Sequence, residues 1–150
     1  MSRTTRHLAC PPEEVFAVLA DGWSYATWVV GAARIRDVDA EWPAAGSRIH
    51  HSVGLWPVLI SDTTSVESVD APHELQLRVR AWPAGEGRVR LRCEADPAGG
   101  ATVTMDEWAV SGPATLVPTP VQDLALHARN TEALQRLAYL AEGGAGRVLR

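Results

Sequence analysis

The chain has no lysine at all: its 14 basic residues are all arginine, spread from end to end. Phenylalanine occurs once, as Phe16, and cysteine twice, as Cys10 and Cys93. Two cysteines cannot build the bridged framework of a small secreted scaffold, and their separation matches no metal-ligand spacing. Both are expected to be reduced, buried thiols. No stretch approaches the roughly 18 consecutive apolar residues of a membrane span, and the N-terminal MSRTTRHLAC lacks the apolar centre of a signal peptide. A cytoplasmic protein without membrane insertion is expected. The net charge of −4 removes the basic footprint that phosphate binding needs, so no nucleic-acid partner is expected. Nucleophile elbow, Gly-rich phosphate loop, dinucleotide fingerprint and zinc motif are all missing, which leaves no expected cofactor and no expected metal.

What is present is the composition of one ordered globular domain over residues 1–150, with 143–150 as a frayed tail. Hydrophobic residues make up 46% and charged residues 21% of the chain, enough apolar material for a single core and no excess charge to prevent one. Arginines recur at spacing two in Arg34/Arg36, Arg78/Arg80 and Arg88/Arg90/Arg92. On strands each set shares one face. That face is either simply solvated or a surface for a partner.

The order of elements is legible from punctuation and period. A strand over about 3–10 meets Pro11-Pro12, which suits the first turn of a helix, and Glu13-Glu14 favour the positive end of its dipole. Asp21-Gly22 closes that helix, and a second short one runs from Trp23 to Val30. From Arg34 to Val110 the period is two, giving strands over about 33–41, 47–55, 58–69, 74–82, 88–95 and 101–110, separated by Pro- and Gly-rich turns. Leu75, Leu77, Val79 and Ala81 share one face, as do Val89, Leu91, Cys93 and Ala95. The long stretch from Val121 to Glu142 is the only helix able to cover that face, with Leu126, Asn130, Ala133, Leu134, Leu137, Ala138 and Ala141 on one side. Arg129 falls on the other side. Between strand and helix, Ser111 to Pro120 is stiffened by three prolines, as a rim or lid would be.

In this order the chain resembles the START-like, plant-allergen and bacterial polyketide cyclase superfamily of helix-grip proteins. The resemblance rests on Pro11-Pro12-Glu13-Glu14-Val15-Phe16, Trp28-Val29-Val30-Gly31, Gly46-Ser47-Arg48-Ile49-His50-His51 and Arg129-Asn130-Thr131-Glu132-Ala133-Leu134-Gln135-Arg136-Leu137. It implies an α+β fold in which a seven-stranded bent antiparallel sheet, with two short helices, grips the long C-terminal helix around a cavity for a hydrophobic ligand. It transfers no catalytic motif, because members of such a fold differ between transport, sensing and catalysis.

The candidate site residues are the polar ones that the pattern turns inward. Asn130 lies in the helix's apolar stripe near His127 and Asp123, where its amide must find partners or cost roughly 1–3 kcal/mol. It either orients a ligand or bonds to the sheet or a buried water. Glu107 shares a strand face with Val103, Met105 and Ala109, and a buried unpaired carboxyl is suited to general acid or base work. A single bulge would turn Asp106 inward instead. His51 accompanies Ile49 and Val53, and adjacent His50 must point the opposite way, so the two cannot jointly chelate a metal. Trp28 and Trp56 are expected at the pocket edge, with Leu77, Leu91, Met105 and Leu134 as apolar lining.

Two functions follow. One is a non-catalytic binder of a hydrophobic small molecule. The other is a polyketide cyclase or dehydratase-like enzyme in which Glu107, His51 or Asn130 polarises a carbonyl or moves a proton. A third reading is a partner module that binds through the Arg-rich outer sheet face; surface-charge reversal that leaves all partner binding intact would dismiss it.

Overall fold

The computed structural model describes residues 1–30, 32–55, 58–81 and 85–144. Strand β1 (Ser2–Leu8) leads to helix α1 (Pro12–Leu19), a 3-10 turn (Gly22–Ser24) and the one-turn helix α2 (Tyr25–Trp28). Strands β2 (Ala32–Val38), β3 (Arg48–Leu55), β4 (Val58–Asp70), β5 (Glu74–Ala81), β6 (Gly85–Ala95) and β7 (Ala101–Ser111) follow. A 3-10 turn (Pro113–Leu116) precedes helix α3 (Thr119–Glu142). The strands form one antiparallel sheet in the order β1-β7-β6-β5-β4-β3-β2, so the chain closes back on itself only where β1 pairs with β7. This is the helix-grip arrangement that the resemblance implied.

Local chemistry explains where the elements start and stop. Pro12, Glu13 and Glu14 open α1, and Pro120 stands in the first turn of α3, where a missing N–H costs nothing. Gly144, at φ +79°, follows the end of α3 in the left-handed conformation glycine adopts freely. The expected helix from Trp23 to Val30 is instead broken in two. Asp21 accepts a hydrogen bond from the Trp23 backbone N–H, tightening the first turn. Val29, β-branched, is already extended at φ −79° and ψ 115°.

Strand β6 also starts earlier than its sequence suggests. Gly85 and Glu86 read as turn residues, yet they pair with Ala81 and Arg80, and Glu86 pairs with Ser111. Gly85 takes φ +114°, and a Cβ there would lie 2.0 Å from the Ser111 carbonyl oxygen, so only glycine lets the two strands approach.

The concave face of the sheet is packed by Leu8, Leu75, Leu77, Leu91, Cys93, Val103 and Met105. Against them lie Val15, Val18 and Leu19 of α1 and Leu134, Leu137, Ala138 and Ala141 of α3. Each of the larger side chains stabilises the fold by about 1.5–3 kcal/mol through burial. The convex face is organised by charge. Asp106, fully buried at 0%, accepts from Arg3 Nε at 2.7 Å and Nη2 at 3.1 Å, and from Arg90 and Arg92 at 3.2 Å each. Arg88 pairs with Glu67, and Arg78 with Glu86. The Arg78/Arg80 and Arg88/Arg90/Arg92 stripes thus spend their charge on carboxylates of their own sheet. Hydrogen bonding from Arg3, aided by Arg90, holds the Asp106 carboxyl below the usual aspartate range, and Arg88 does the same for Glu67.

Candidate functional site

Along β6 the residues on the concave face are Gly85, Gly87, Val89, Leu91 and Cys93 in turn. The last three are buried core residues, whereas the first two have no side chain to fill the space beneath α3. A pocket of about 130 Å³ opens there. Its walls are Val79 of β5, Gly85 to Gly87 of β6, Glu107 to Ala109 of β7, Ala114 of the 3-10 turn, and Gln122, Leu126 and Arg129 of α3. The register of β6 against β7 slips between Glu86 and Gly87, which re-aims the end of β7 at the pocket rim. The Gln122 amide donates to the Ala114 carbonyl at 2.7 Å, tying the proline-stiffened rim to the helix.

Three charged residues stand in this mostly apolar wall: Glu86, paired with Arg78 and Arg80, and Glu107 and Arg129, which pair with each other. Arg129 Nη2 donates to Glu107 Oε1. Glu107 is 7% exposed, and its second oxygen, Oε2, is buried without a hydrogen-bond partner among the described residues. Ser2, across the strand pair from Glu107, also buries an unpartnered hydroxyl.

A second polar group lies deeper. His51, 2% exposed, is bonded through Nε2 to Thr64 Oγ1 at 2.9 Å, and the Tyr25 hydroxyl is 3.3 Å from the same Thr64 oxygen. The Tyr25 ring stacks on His51 with centroids 5.9 Å apart and meets Trp28 edge-on at 5.6 Å. Burial pushes the Tyr25 phenol up and the His51 imidazole down, so both favour their neutral forms. The opposite charges of Arg129 and Glu107 act on the Tyr25 phenol in opposite directions, the first lowering and the second raising it, so burial decides. His51 Nδ1 and both polar atoms of the fully buried Asn130 amide have no partner among the described residues.

The residues singled out from sequence therefore fall into three places. Glu107 lines the pocket. His51, Asn130 and Trp28 are buried and do not line it, and Leu77, Leu91, Met105 and Leu134 belong to the closed core and do not line it either. His127 sits at the other edge of α3, its Nδ1 3.2 Å from Thr4 Oγ1, and Asp123 pairs with the N-terminal amine. Trp56 lies outside the described residues. Strict alternation puts Glu107 inward and Asp106 outward, and His50 bonds Asp39 on the opposite face from His51. Grouped metal ligands are absent among the described residues.

Sequence reasoning missed Arg129, Tyr25, Thr64 and the two glycines. A buried carboxylate needs a cation, and that demand was the available signal for Arg129. An unbroken alternation running back from Cys93 through Val89 to Gly85 was the signal for the glycines. Nothing local marks Tyr25 and Thr64, which meet only through the fold.

This geometry can be set beside known proteins. Residues 2–142 match the family model described as polyketide cyclase / dehydrase and lipid transport. A solved structure from Rhodobacter sphaeroides is 21% identical, with a TM-score of 0.72 over 94% of this chain and 91% of that one. Ara h 8.0201 is 10% identical, with a TM-score of 0.71 over 94% of this chain and 96% of its own. The di-domain ARO/CYC BexL from the BE-7585A biosynthetic pathway is 11% identical, with a TM-score of 0.68, and this chain spans 48% of it. At these identities the likeness is one of fold. A search of the curated proteins finds no match. No helix among the described residues is long and apolar enough to cross a membrane. With its family model matched over nearly its whole length and its sheet and helices superposing on these structures, the chain belongs to the polyketide cyclase / dehydrase and lipid transport family.

Proposed function

We propose that the protein binds a hydrophobic small molecule, of the lipid or polyketide kind, in the pocket beneath the first half of α3. The observation that carries this reading is the hollow itself. A helix and sheet that pack shut over Leu91 and Cys93 are held apart over Gly85 and Gly87, and the walls there are mainly apolar. An apolar concavity with a few convergent polar groups is the usual form of a small-molecule site. The volume suits a ring or the end of a chain, since an apolar cavity of about 150 Å³ takes up benzene. The reading is set in the cytoplasm, where Cys10 and Cys93 stay reduced, and the working unit is the single domain of residues 1–150.

Native mass spectrometry of freshly purified protein, together with quenching of tryptophan fluorescence by a panel of lipids and polyketide-like aromatics, tests this. Trp108 belongs to the wall strand, but its ring lies 5.9 Å from the Arg90 guanidinium of the convex face, so it reports ligand entry indirectly and native mass spectrometry is the primary readout. Saturable binding is expected, and Ala109→Leu, which fills the hollow, is expected to abolish it. Absence of saturable binding by every apolar ligand would overturn the proposal.

A second reading, a cyclase or dehydratase acting on the same ligand, is favoured by one observation. The Arg129–Glu107 pair lies in the pocket wall, and the buried interior of the same domain holds a Tyr25–Thr64–His51 chain of neutral hydrogen-bonding groups. In that reading Glu107 holds or moves a proton and Tyr25 or His51, both kept neutral by burial, orients a carbonyl. Unchanged conversion of a matched polyketide by Glu107→Gln, His51→Ala and Asn130→Ala alike would remove it.

A further inference from the structure

The large hydrophobic side chains left in water are not scattered over the surface. Leu116 is 85% exposed, Leu124 73%, Val121 57%, Met1 56% and Val117 40%, and they gather where the 3-10 turn runs into α3. The N-terminal amine, paired with Asp123, holds Met1 at the turn of the helix that carries Leu124. Along α3, Val121, Leu124, Ala125 and Ala128 repeat at i, i+3, i+4 and i+7, so they form one stripe, and all four are exposed. This stripe is separate from the pocket side of the helix, Gln122, Leu126 and Arg129, and from its core side, which begins at Asn130. A contiguous exposed apolar patch marks an interaction surface. We infer that this patch docks on the surface of an uncharged lipid bilayer, where an apolar ligand passes between membrane and pocket; the transfer rests on the pocket being the ligand site.

Three features identify the partner. The first is charge. From Ala109 to Gln122 the sequence carries no charged residue, and the charges that follow are paired, Asp123 with the N-terminal amine and Arg129 with Glu107. The patch is thus neutral on a chain of net charge −4, which fits zwitterionic headgroups, whereas anionic ones repel the chain. The second is side-chain type. Protein partners are gripped mostly through Trp, Tyr and Arg anchors, and the patch has none; two of its four stripe residues are alanine, too small to fill a partner's groove. Aliphatic side chains with no directional demand suit the acyl boundary of a bilayer, with α3 lying on the membrane and not across it. The third is position. Ala114, Gln122 and Leu126 line the pocket from the same turn and helix that carry the patch. A second copy docked there would crowd the pocket rim, whereas a bilayer supplies or receives an apolar ligand at that place.

The test puts an environment-sensitive NBD label on the intact chain through Leu116→Cys, with Glu94→Cys, exposed at the far end of β6 from the pocket, as the control. Cys10 and Cys93 are buried and stay unlabelled. With phosphatidylcholine vesicles the label at position 116 is expected to shift to the blue and saturate, while the label at position 94 stays unshifted. Leu116→Ser combined with Leu124→Ser is expected to weaken vesicle partitioning in flotation by about tenfold or more, because the burial of both leucines is forfeited. Thermal melting is expected to stay unchanged, since both side chains are already in water. No blue shift with these vesicles would overturn the docking surface. So would a shift that requires phosphatidylglycerol, which would make the contact electrostatic. A shift without lipid that follows protein concentration, together with a dimer in sedimentation, would overturn it in favour of a second copy. Uptake of an apolar ligand by native protein that ignores vesicles overturns the docking surface alone; docking by a protein that takes up no apolar ligand supports the surface and removes the pocket.

Discussion

The two halves of α3 meet the same sheet and do opposite things. Over its second half, Ala133, Leu134, Leu137, Ala138 and Ala141 are each 2% exposed or less and form part of one core with Leu8, Leu91, Cys93 and Val103. Over its first half, Gln122, Leu126 and Arg129 stand across a hollow from Gly85, Gly87, Glu107 and Ala109. Neither helix nor strand changes its type between the two. What changes is side-chain volume on one strand, from leucine and valine to glycine, and with it the same interface turns from a packed contact into a hollow.

The contrast can be broken most forcefully in the packed half. Leu134→Ala leaves a cavity that its neighbours cannot fill and is expected to cost about 2–5 kcal/mol by urea denaturation. Leu126→Ala, in the hollow half, is expected to cost clearly less, because its side chain already borders open space. Equal losses would deny the difference between the halves.

Ala109→Leu sharpens the comparison from the other side. It is expected to weaken ligand binding at least tenfold by fluorescence titration while changing stability by less than the roughly 1–3 kcal/mol that the same insertion costs in a closed core. A strongly destabilised variant would mean that no space was there.

Acid unfolding then separates the convex face from the concave one. The Asp106 carboxyl is held low in the folded chain, so below the ordinary aspartate value of about 3.9 the unfolded chain binds the extra proton first. Stability is present above that value and is lost as pH falls through the folded one. Asp106→Asn is expected to lower stability near neutrality and to flatten its decline below about pH 4. A smaller effect comes from His51, whose burial lowers its imidazole. The unfolded chain takes up that proton from about pH 6.5 downward, so stability falls over the window between 6.5 and the lower folded value. His51→Gln is expected to remove this slope in urea titrations between pH 7 and 5, and an unchanged slope would place its origin elsewhere.

Much of the fold was legible because its signals are local. Alternation marked the strands, and Pro11-Pro12, Asp21-Gly22 and Gly143-Gly144 marked helix ends within a residue or two. Inward Glu107 and His51 followed from strict period two. The rest depended on what comes together from afar. Alternation left open whether Asp106 or Glu107 turns inward; Asp106 is on the convex face and is buried there because arginines from β1 and β6 converge on it once the register is set. Arg129 sat on the polar side of the helical wheel, but its long stem lets the guanidinium reach back to Glu107. The pocket was hardest to foresee, since it is made by absent side chains at Gly85 and Gly87, in a segment whose composition reads as a turn.

The central claim is that a ligand enters the hollow half and not the packed one. Backbone amide and tryptophan indole shifts followed by NMR during titration with 4-ethylphenol test it most directly. Saturable, one-to-one shifts confined to Gly87, Trp108, Ala109, Leu126 and Arg129 are predicted; shifts centred on Leu134 and Leu137, or none that saturate, would contradict it.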